Sequence, residues 1–300
     1  MNLDIKPEKY EEFKYFMSEK LTRETGQQYF PEYIFVQTKE DNDGYIVIPD
    51  DTEYRYIFGN VKFIASGSEE IDNVEFVYGD VGFKNSKAKS LVKLKHIAGD
   101  AIFDNSQIED LGALETIGGN ASFSFSKIKS LKHLKKIGGW VRFIDANIED
   151  LGNLEIIRGN ASFGNSGIED LKNLKKIGGW AIFRFSKIKS LKNLEYVGES
   201  LILKDSQVED LGNLKYVGES FYSGDSAIKT LSKLEYVGGD LFLENSGVED
   251  LGNLKFVGGQ LHLNERQKKL FADKIFLKNG RYCFRNQEDY VYNNDYLEKE

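Results

Sequence analysis

The sequence predicts a repeat solenoid built mainly of β-structure, and three observations carry that expectation. Leucine recurs at strict 20-residue spacing, at Leu91, Leu111, Leu131, Leu151, Leu171, Leu191, Leu211, Leu231 and Leu251. Each is followed three residues later by a second leucine (Leu94 to Leu254) and three further on by Ile or Val (Ile97 to Val257), with no insertion or deletion. Each unit also holds a short alternating segment, as at Ala121 and Phe123, whose polar neighbours mark a strand with one buried face. A fixed period of this length marks stacked coils, none of which buries its apolar face alone. Stacking makes one continuous core, which lets a 300-residue chain remain one domain.

Within the unit LGALETIGGNASFSFSKIKS, which starts at Leu111, the first, fourth, seventh, eleventh, thirteenth and eighteenth positions are apolar in nearly every copy. Gly fills the ninth in most copies (Gly99, Gly119, Gly139, Gly159, Gly179, Gly239, Gly259), with Glu199 and Glu219 as exceptions. A glycine just ahead of the strand permits a positive φ and so predicts a turn into it. Ser fills the sixteenth position from Ser86 to Ser246, apart from Ala146. Between the eighteenth position and the next leucine the alternation stops, which predicts an irregular or partly 3₁₀ return path. Weaker copies of the pattern (Ile71, Val74, Val77, Gly79, Val81, Phe83; then Ile57, Gly59, Val61, Phe63) extend the array to about residues 51–265, roughly eleven coils.

The segment A-I-F-D-N-S-Q-I from Ala101 to Ile108 resembles the L-x-L-x-x-N-x-L strand segment of leucine-rich repeats, with Ser106 where that family carries Asn or Cys. The run L-x-x-L-x-x-I-G-G, as in Leu171 to Gly179, is similar to the short-repeat, bacterial-type branch of the family and to receptor L domains. The resemblance covers about two thirds of the chain. It implies a right-handed coil with one parallel strand per 20-residue unit, lining a concave face. Ser in place of Asn implies a weaker polar ladder, because a hydroxyl satisfies fewer backbone groups than an amide. A three-sided parallel β-helix has a similar coil length and is the structural alternative.

Both ends read as caps that keep terminal coils from exposing apolar core and strand edges. Residues 1–50 predict a helix, with Tyr10, Phe13, Met17 and Leu21 on one face, and then a hairpin of Tyr33–Val36 and Tyr45–Ile48 about Asp43-Gly44. Residues 266–300 predict a short helix from Arg266 to Asp273, a hairpin about Asn279-Gly280, and a tyrosine-rich tail.

A net charge of −8 and a pI near 5.2 argue against a general nucleic-acid coat. Cys283 is the single cysteine and permits no internal disulfide. The N-terminal segment MNLDIKPEKYEEFKYF lacks the apolar core of a signal peptide, and no stretch has the length of a membrane span. The expectation is a cytoplasmic protein with no membrane partner. No metal-ligand spacing, phosphate-binding glycine loop or nucleophile motif is present, so neither enzymatic activity nor a cofactor is expected.

Function is therefore sought on the outward rows of the strand, at the tenth, twelfth and fourteenth positions with the fifteenth at the rim. These rows place Trp140, Trp180, Arg142, Arg184, Phe125, Phe185, Ile144, Ile182, Ile202, Tyr222 and Phe242 on one surface. Trp and Arg are enriched at interface hot spots, and a sheet face with no partner needs no such stripe. The competing explanation is duplication: GNASF recurs at Gly119 and Gly159, and KKIGGW at Lys135 and Lys175, so a copied two-coil unit would carry its tryptophan along. A second candidate is a basic edge of Lys135, Lys136, Lys175 and Lys176, diluted by Glu155, Glu169 and Asp170. The leading expectation is a non-enzymatic scaffold that holds a protein partner, as an effector or inhibitor occluding an enzyme does. Glycan or small-ligand binding, which receptor L domains imply, is one alternative. Engagement of a nucleic-acid-processing nucleoprotein through the lysine edge is the other.

Overall fold

A computed structural model describes residues 10–25, 30, 34–36, 46–49, 51–64, 68–278 and 281–284. The chain is a parallel β-solenoid. Each coil contributes two-residue strands to two separate sheets, and the whole makes a 14-stranded and a 12-stranded sheet. In the coil at Leu111, Thr116–Ile117 joins the first sheet and Ala121–Ser122 the second. On a third side, isolated bridges join some of the twentieth positions of adjacent coils, among them Ser90 to Asp110 and Ser130 to Asp150. One strand per unit was expected. The structure has two and a bridged third side, which brings it close to the three-sided alternative.

Register is fixed at one coil per step: Ala121 pairs with Val141, Val141 with Ala161, and Ala161 with Ala181, all parallel. The first, fourth, seventh, eleventh, thirteenth and eighteenth positions point inward and are almost fully buried from Leu91 to Leu243. Phe63, Phe83, Phe103, Phe123, Phe143, Phe163 and Phe183 form an internal spine, successive ring centroids lying 4.8 to 5.6 Å apart. Beyond Phe183 the eleventh and thirteenth positions exchange volume. Ala181/Phe183 gives way to Leu201/Leu203, then Phe221/Ser223, then Leu241/Leu243, all of them buried. Core volume per coil is thus held while side chains vary, which is what close packing tolerates. Ser223 fits the apolar site because its hydroxyl donates to the Phe242 carbonyl at 2.8 Å.

The fifth row carries a regularity of charge. Arg55, Glu75, Lys95, Glu115, Lys135, Glu155, Lys175, Glu195, Lys215, Glu235 and Lys255 alternate in sign without a break. Printed on a stack of coils about 4.8 Å apart, alternation sets unlike charges side by side. Lys135–Glu115 at 2.7 Å, Lys175–Glu155 at 3.3 Å and Lys255–Glu235 at 2.8 Å result. The hydrogen bond and charge of Lys135 hold the Glu115 carboxyl below its ordinary 4.5.

The ends differ in part from expectation. Helix α1 spans Tyr10–Thr25 and packs through Met17 and Phe13 on a small cluster with Ile34, Tyr56 and Phe58, separate from the solenoid core, the Phe13 ring meeting Phe58 edge-on at 5.4 Å. The proposed N-terminal hairpin is not formed. Ile34–Val36 pairs in parallel with Tyr56–Phe58 in the first sheet, and Ile46–Pro49 pairs in parallel with Val61–Ile64 in the second. These segments add one more coil to the two sheets; Asp43-Gly44 lies outside the described residues. At the other end helix α2, Glu265–Leu270, carries a capping box between Asn264 and Gln267. Buried Gln267 also donates through Nε2 to the Leu243 and Val248 carbonyls at 3.0 and 3.3 Å, closing the last coil. Ile275–Lys278 and Arg281–Phe284 form the expected antiparallel hairpin and join the first sheet where Val257 pairs with Tyr282. The turn residues Asn279-Gly280 and the tail lie outside the described residues.

Candidate binding surface

The second sheet and its rim position the expected surface, and the reason lies in the backbone of each coil. With positions eleven and thirteen committed to the core, ten and twelve must face out. At the tenth position most coils carry Asn, Asp or Ser, and these side chains build a ladder. Asn60 Oδ1 accepts the Asp80 amide at 2.8 Å, Asp80 that of Asp100 at 2.7 Å, Asp100 that of Asn120 at 2.7 Å, and Asn120 that of Trp140 at 2.9 Å. Asn160 holds the Trp180 amide at 2.9 Å, and Ser200, Ser220 and Asp240 continue the series to Gln260. The weakened ladder expected at the sixteenth position is therefore beside the point. Those serines are mostly buried, and Ser166, Ser226 and Ser246 donate locally to the carbonyl three residues back, as Ser166 Oγ does to Phe163 at 2.8 Å.

The same ladder explains the ninth-position glycines, and corrects the reason first given for them. None of Gly99, Gly119, Gly139 or Gly179 has a positive φ. What they supply is space. A Cβ on Gly99, Gly119 or Gly139 would lie 2.2 Å from the ladder oxygen of Asp80, Asp100 or Asn120, and one on Gly179 2.0 Å from that of Asn160. The exceptions, Glu199 and Glu219, sit over Trp180 and Ser200, where no Asn or Asp stands beneath; at Gly159, over Trp140, it is backbone that crowds the space, a Cβ there falling 2.6 Å from the Trp140 amide nitrogen.

Trp140 and Trp180 occupy ladder positions and cannot accept. Among the described residues, the Asn160 and Ser200 amides accordingly have no side-chain acceptor from the coil before. Both indoles are exposed, 38% and 44%. They do not stack on each other, because the Ala161–Ser162 strand lies between the strands that follow them. Arg142, exposed two residues beyond Trp140, holds its guanidinium 5.4 Å from the indole centroid. Arg184 lies 4.8 Å from the Phe185 ring and pairs with Asp205 at 2.9 Å.

The rim adds strain. The fifteenth position is left-handed in coil after coil: Asn105, Asp145, Asn165, Asp205, Asp225 and Asn245 have φ between 53° and 61°. Asn and Asp tolerate this region. Phe125 and Phe185 adopt it too, at 56° and 58°, and are 60% and 61% exposed. A bulky residue there costs of order 1 kcal/mol or more and gains nothing from burial. Phe125→Asn and Phe185→Asn are each expected to raise the unfolding free energy by about 1 kcal/mol, read as a higher denaturant midpoint at unchanged slope.

The remaining expected residues separate into two groups. Ile182 and Ile202 continue the twelfth row, half-buried, into a stack of Tyr222, Phe242 and His262 with centroids 4.6 and 4.1 Å apart. Ile144 is half-buried at the rim. Ser122, expected on the outward row, is buried instead, because its hydroxyl donates to Asp104 at 2.6 Å. The lysine edge lies in and beside the first sheet. Lys135 and Lys175 are taken up by the Glu115 and Glu155 pairs, and Lys176 sits over the Tyr196 ring at 4.7 Å. Lys136 lies beside them, half-buried. No protein-family model matches the chain, and no curated protein or solved structure is significantly similar to it.

Proposed function

We propose that this solenoid is a non-enzymatic scaffold that holds a protein partner on the outward face of its second sheet, centred on Trp140 and Trp180. One observation carries the reading: at both positions the fold forgoes a ladder acceptor and exposes an indole. Two aromatic residues kept in left-handed backbone at the rim, and Arg142 stacked on Trp140, point the same way, since strain and exposed aromatics collect where a partner binds. Kinship with leucine-rich repeats, operation in the cytoplasm, and action as an effector or inhibitor that occludes an enzyme belong to this proposal. The L-x-x-L pairs, the single cysteine and the absence of nucleophile motifs support them.

The test is affinity capture from a lysate of the source organism with the wild-type protein, with Trp140→Ala/Trp180→Ala, and with Lys93→Ala, an exposed residue outside both sheets, as the control. A protein recovered by the wild type and by Lys93→Ala and lost with the double variant supports the surface. Equal recovery by all three refutes it.

A further inference from the structure

We infer that the segment this surface takes from its partner is a polyproline II helix lying along the solenoid axis, with proline at every third residue and acidic residues beside it. This rests on the reading that the Trp140/Trp180 face binds protein, and it names the conformation and chemistry of what is bound.

The spacing selects the conformation. Trp140 and Trp180 are two coils apart with the Asn160 coil between them, and parallel strands stack at ~4.7–4.9 Å, which separates the two indoles' backbones by roughly 9.6 Å. A polyproline II helix turns once in three residues at ~3.1 Å each, so one face repeats at roughly 9.3 Å. Successive prolines of a Pro-x-x-Pro segment therefore meet successive tryptophans. An extended β-segment presents same-face side chains every ~6.6 Å and falls out of step with both. An α-helix advances ~5.4 Å per turn and sets every second turn against Asn160, where there is no apolar surface to meet it.

Hydrogen bonding and charge agree with that choice. A polyproline II backbone makes no internal hydrogen bonds, so its carbonyls need donors. Asn160 is exposed, and its Oδ1 is spent on the Trp180 amide. Its Nδ2 and the two indole N–H groups have no protein acceptor among the described residues, so the face offers donors in a row between and on the two ring platforms. Arg142 is fixed over Trp140 and, among the described residues, has no anionic partner, in a chain of net charge −8. An acidic residue next to the proline on Trp140 completes it.

Trp140 and Trp180 are the protein's two tryptophans, so intrinsic fluorescence reads the site directly. The probe is a blocked peptide of four Pro-Glu-Ala repeats. It is titrated beside a peptide of identical composition, scrambled to abolish the three-residue proline spacing, and beside cellohexaose. The expected result is a saturable emission change with the repeat peptide alone. Affinity should fall about tenfold or more in Trp140→Ala, read on Trp180, and in Trp180→Ala, read on Trp140. It should fall several-fold in Arg142→Gln. No saturation with the repeat peptide, an equal response to the scrambled one, or saturation by the oligosaccharide instead overturns the inference. A partner captured in a tryptophan-dependent way by a protein that ignores the repeat peptide overturns this inference alone. A partner captured independently of both tryptophans removes the reading beneath it.

Discussion

Phe163→Ala is expected to destabilise the protein by about 3–5 kcal/mol, the largest effect of any single change considered. Phe163 is fully buried and lies between Phe143 at 5.4 Å and Phe183 at 4.8 Å. Truncation leaves a cavity that neither neighbour can fill, because each is held by its own coil's strand pairing. Nor can the backbone collapse, since Ala161 is locked to Val141 on one side and Ala181 on the other. Ser162→Ala, one residue away on the opposite face, should stay within roughly 0.5 kcal/mol. Urea unfolding of the two variants reads the contrast. Equal losses would mean that the inward and outward rows are misassigned, and the binding surface with them.

Gly139→Ala is expected to cost about 2–3 kcal/mol, for a reason that has nothing to do with backbone freedom. The new Cβ would stand 2.2 Å from Asn120 Oδ1 and 2.8 Å from the Asn120 amide nitrogen. That oxygen cannot move without giving up the Trp140 amide it accepts at 2.9 Å. The loss therefore combines overpacking with a broken hydrogen bond. A double-mutant cycle isolates the cause. In an Asn120→Ala background the oxygen is gone and only the backbone contact at 2.8 Å remains, so Gly139→Ala should cost less than in the wild type without becoming neutral. Strict additivity would show that some other constraint keeps glycine at the ninth position.

These two changes mark the boundary between what the sequence displayed and what it concealed. Burial parity at Phe163 is written in the alternation Ala161-Phe163 and in its recurrence every coil, so inward and outward rows could be assigned from residue types alone. The second strand could not. Thr116–Ile117 and its equivalents offer a single inward position, the seventh, so no alternation shows there, whereas Ala121 and Phe123 supply two. The tenth-row ladder was hidden for a different reason: Asn, Asp, Ser and Trp look like a variable position until it is seen that the first three share one hydrogen bond. With it was hidden the meaning of Trp140 and Trp180, which read as apolar additions to a stripe and are in fact substitutions for an acceptor. The N-terminal coil escaped because its pairings, Ile34 with Tyr56 and Ile46 with Val61, are 22 and 15 residues apart and so lie off the 20-residue period. The fifth-row charge alternation needed no structure to be read, only attention to a position that is neither buried nor conspicuous.

The central claim is that the exposed tryptophans serve binding at the expense of the fold, and Trp140→Asn tests it most directly. Asn at this position restores an acceptor for the Asn160 amide, and Gly159 in the next coil already leaves room for it, as Gly139 does for Asn120. At Trp180 the equivalent repair requires Glu199→Gly as well, because every Asn or Asp of the ladder has glycine at the ninth position of the next coil. The measurement is the unfolding free energy of Trp140→Asn by urea denaturation, set beside its recovery of the captured partner. Stability equal to or above that of the wild type, by up to about 1 kcal/mol, together with loss of the partner, is the predicted result. A clear fall in stability with the partner retained would show that Trp140 belongs to the fold and that the surface is elsewhere.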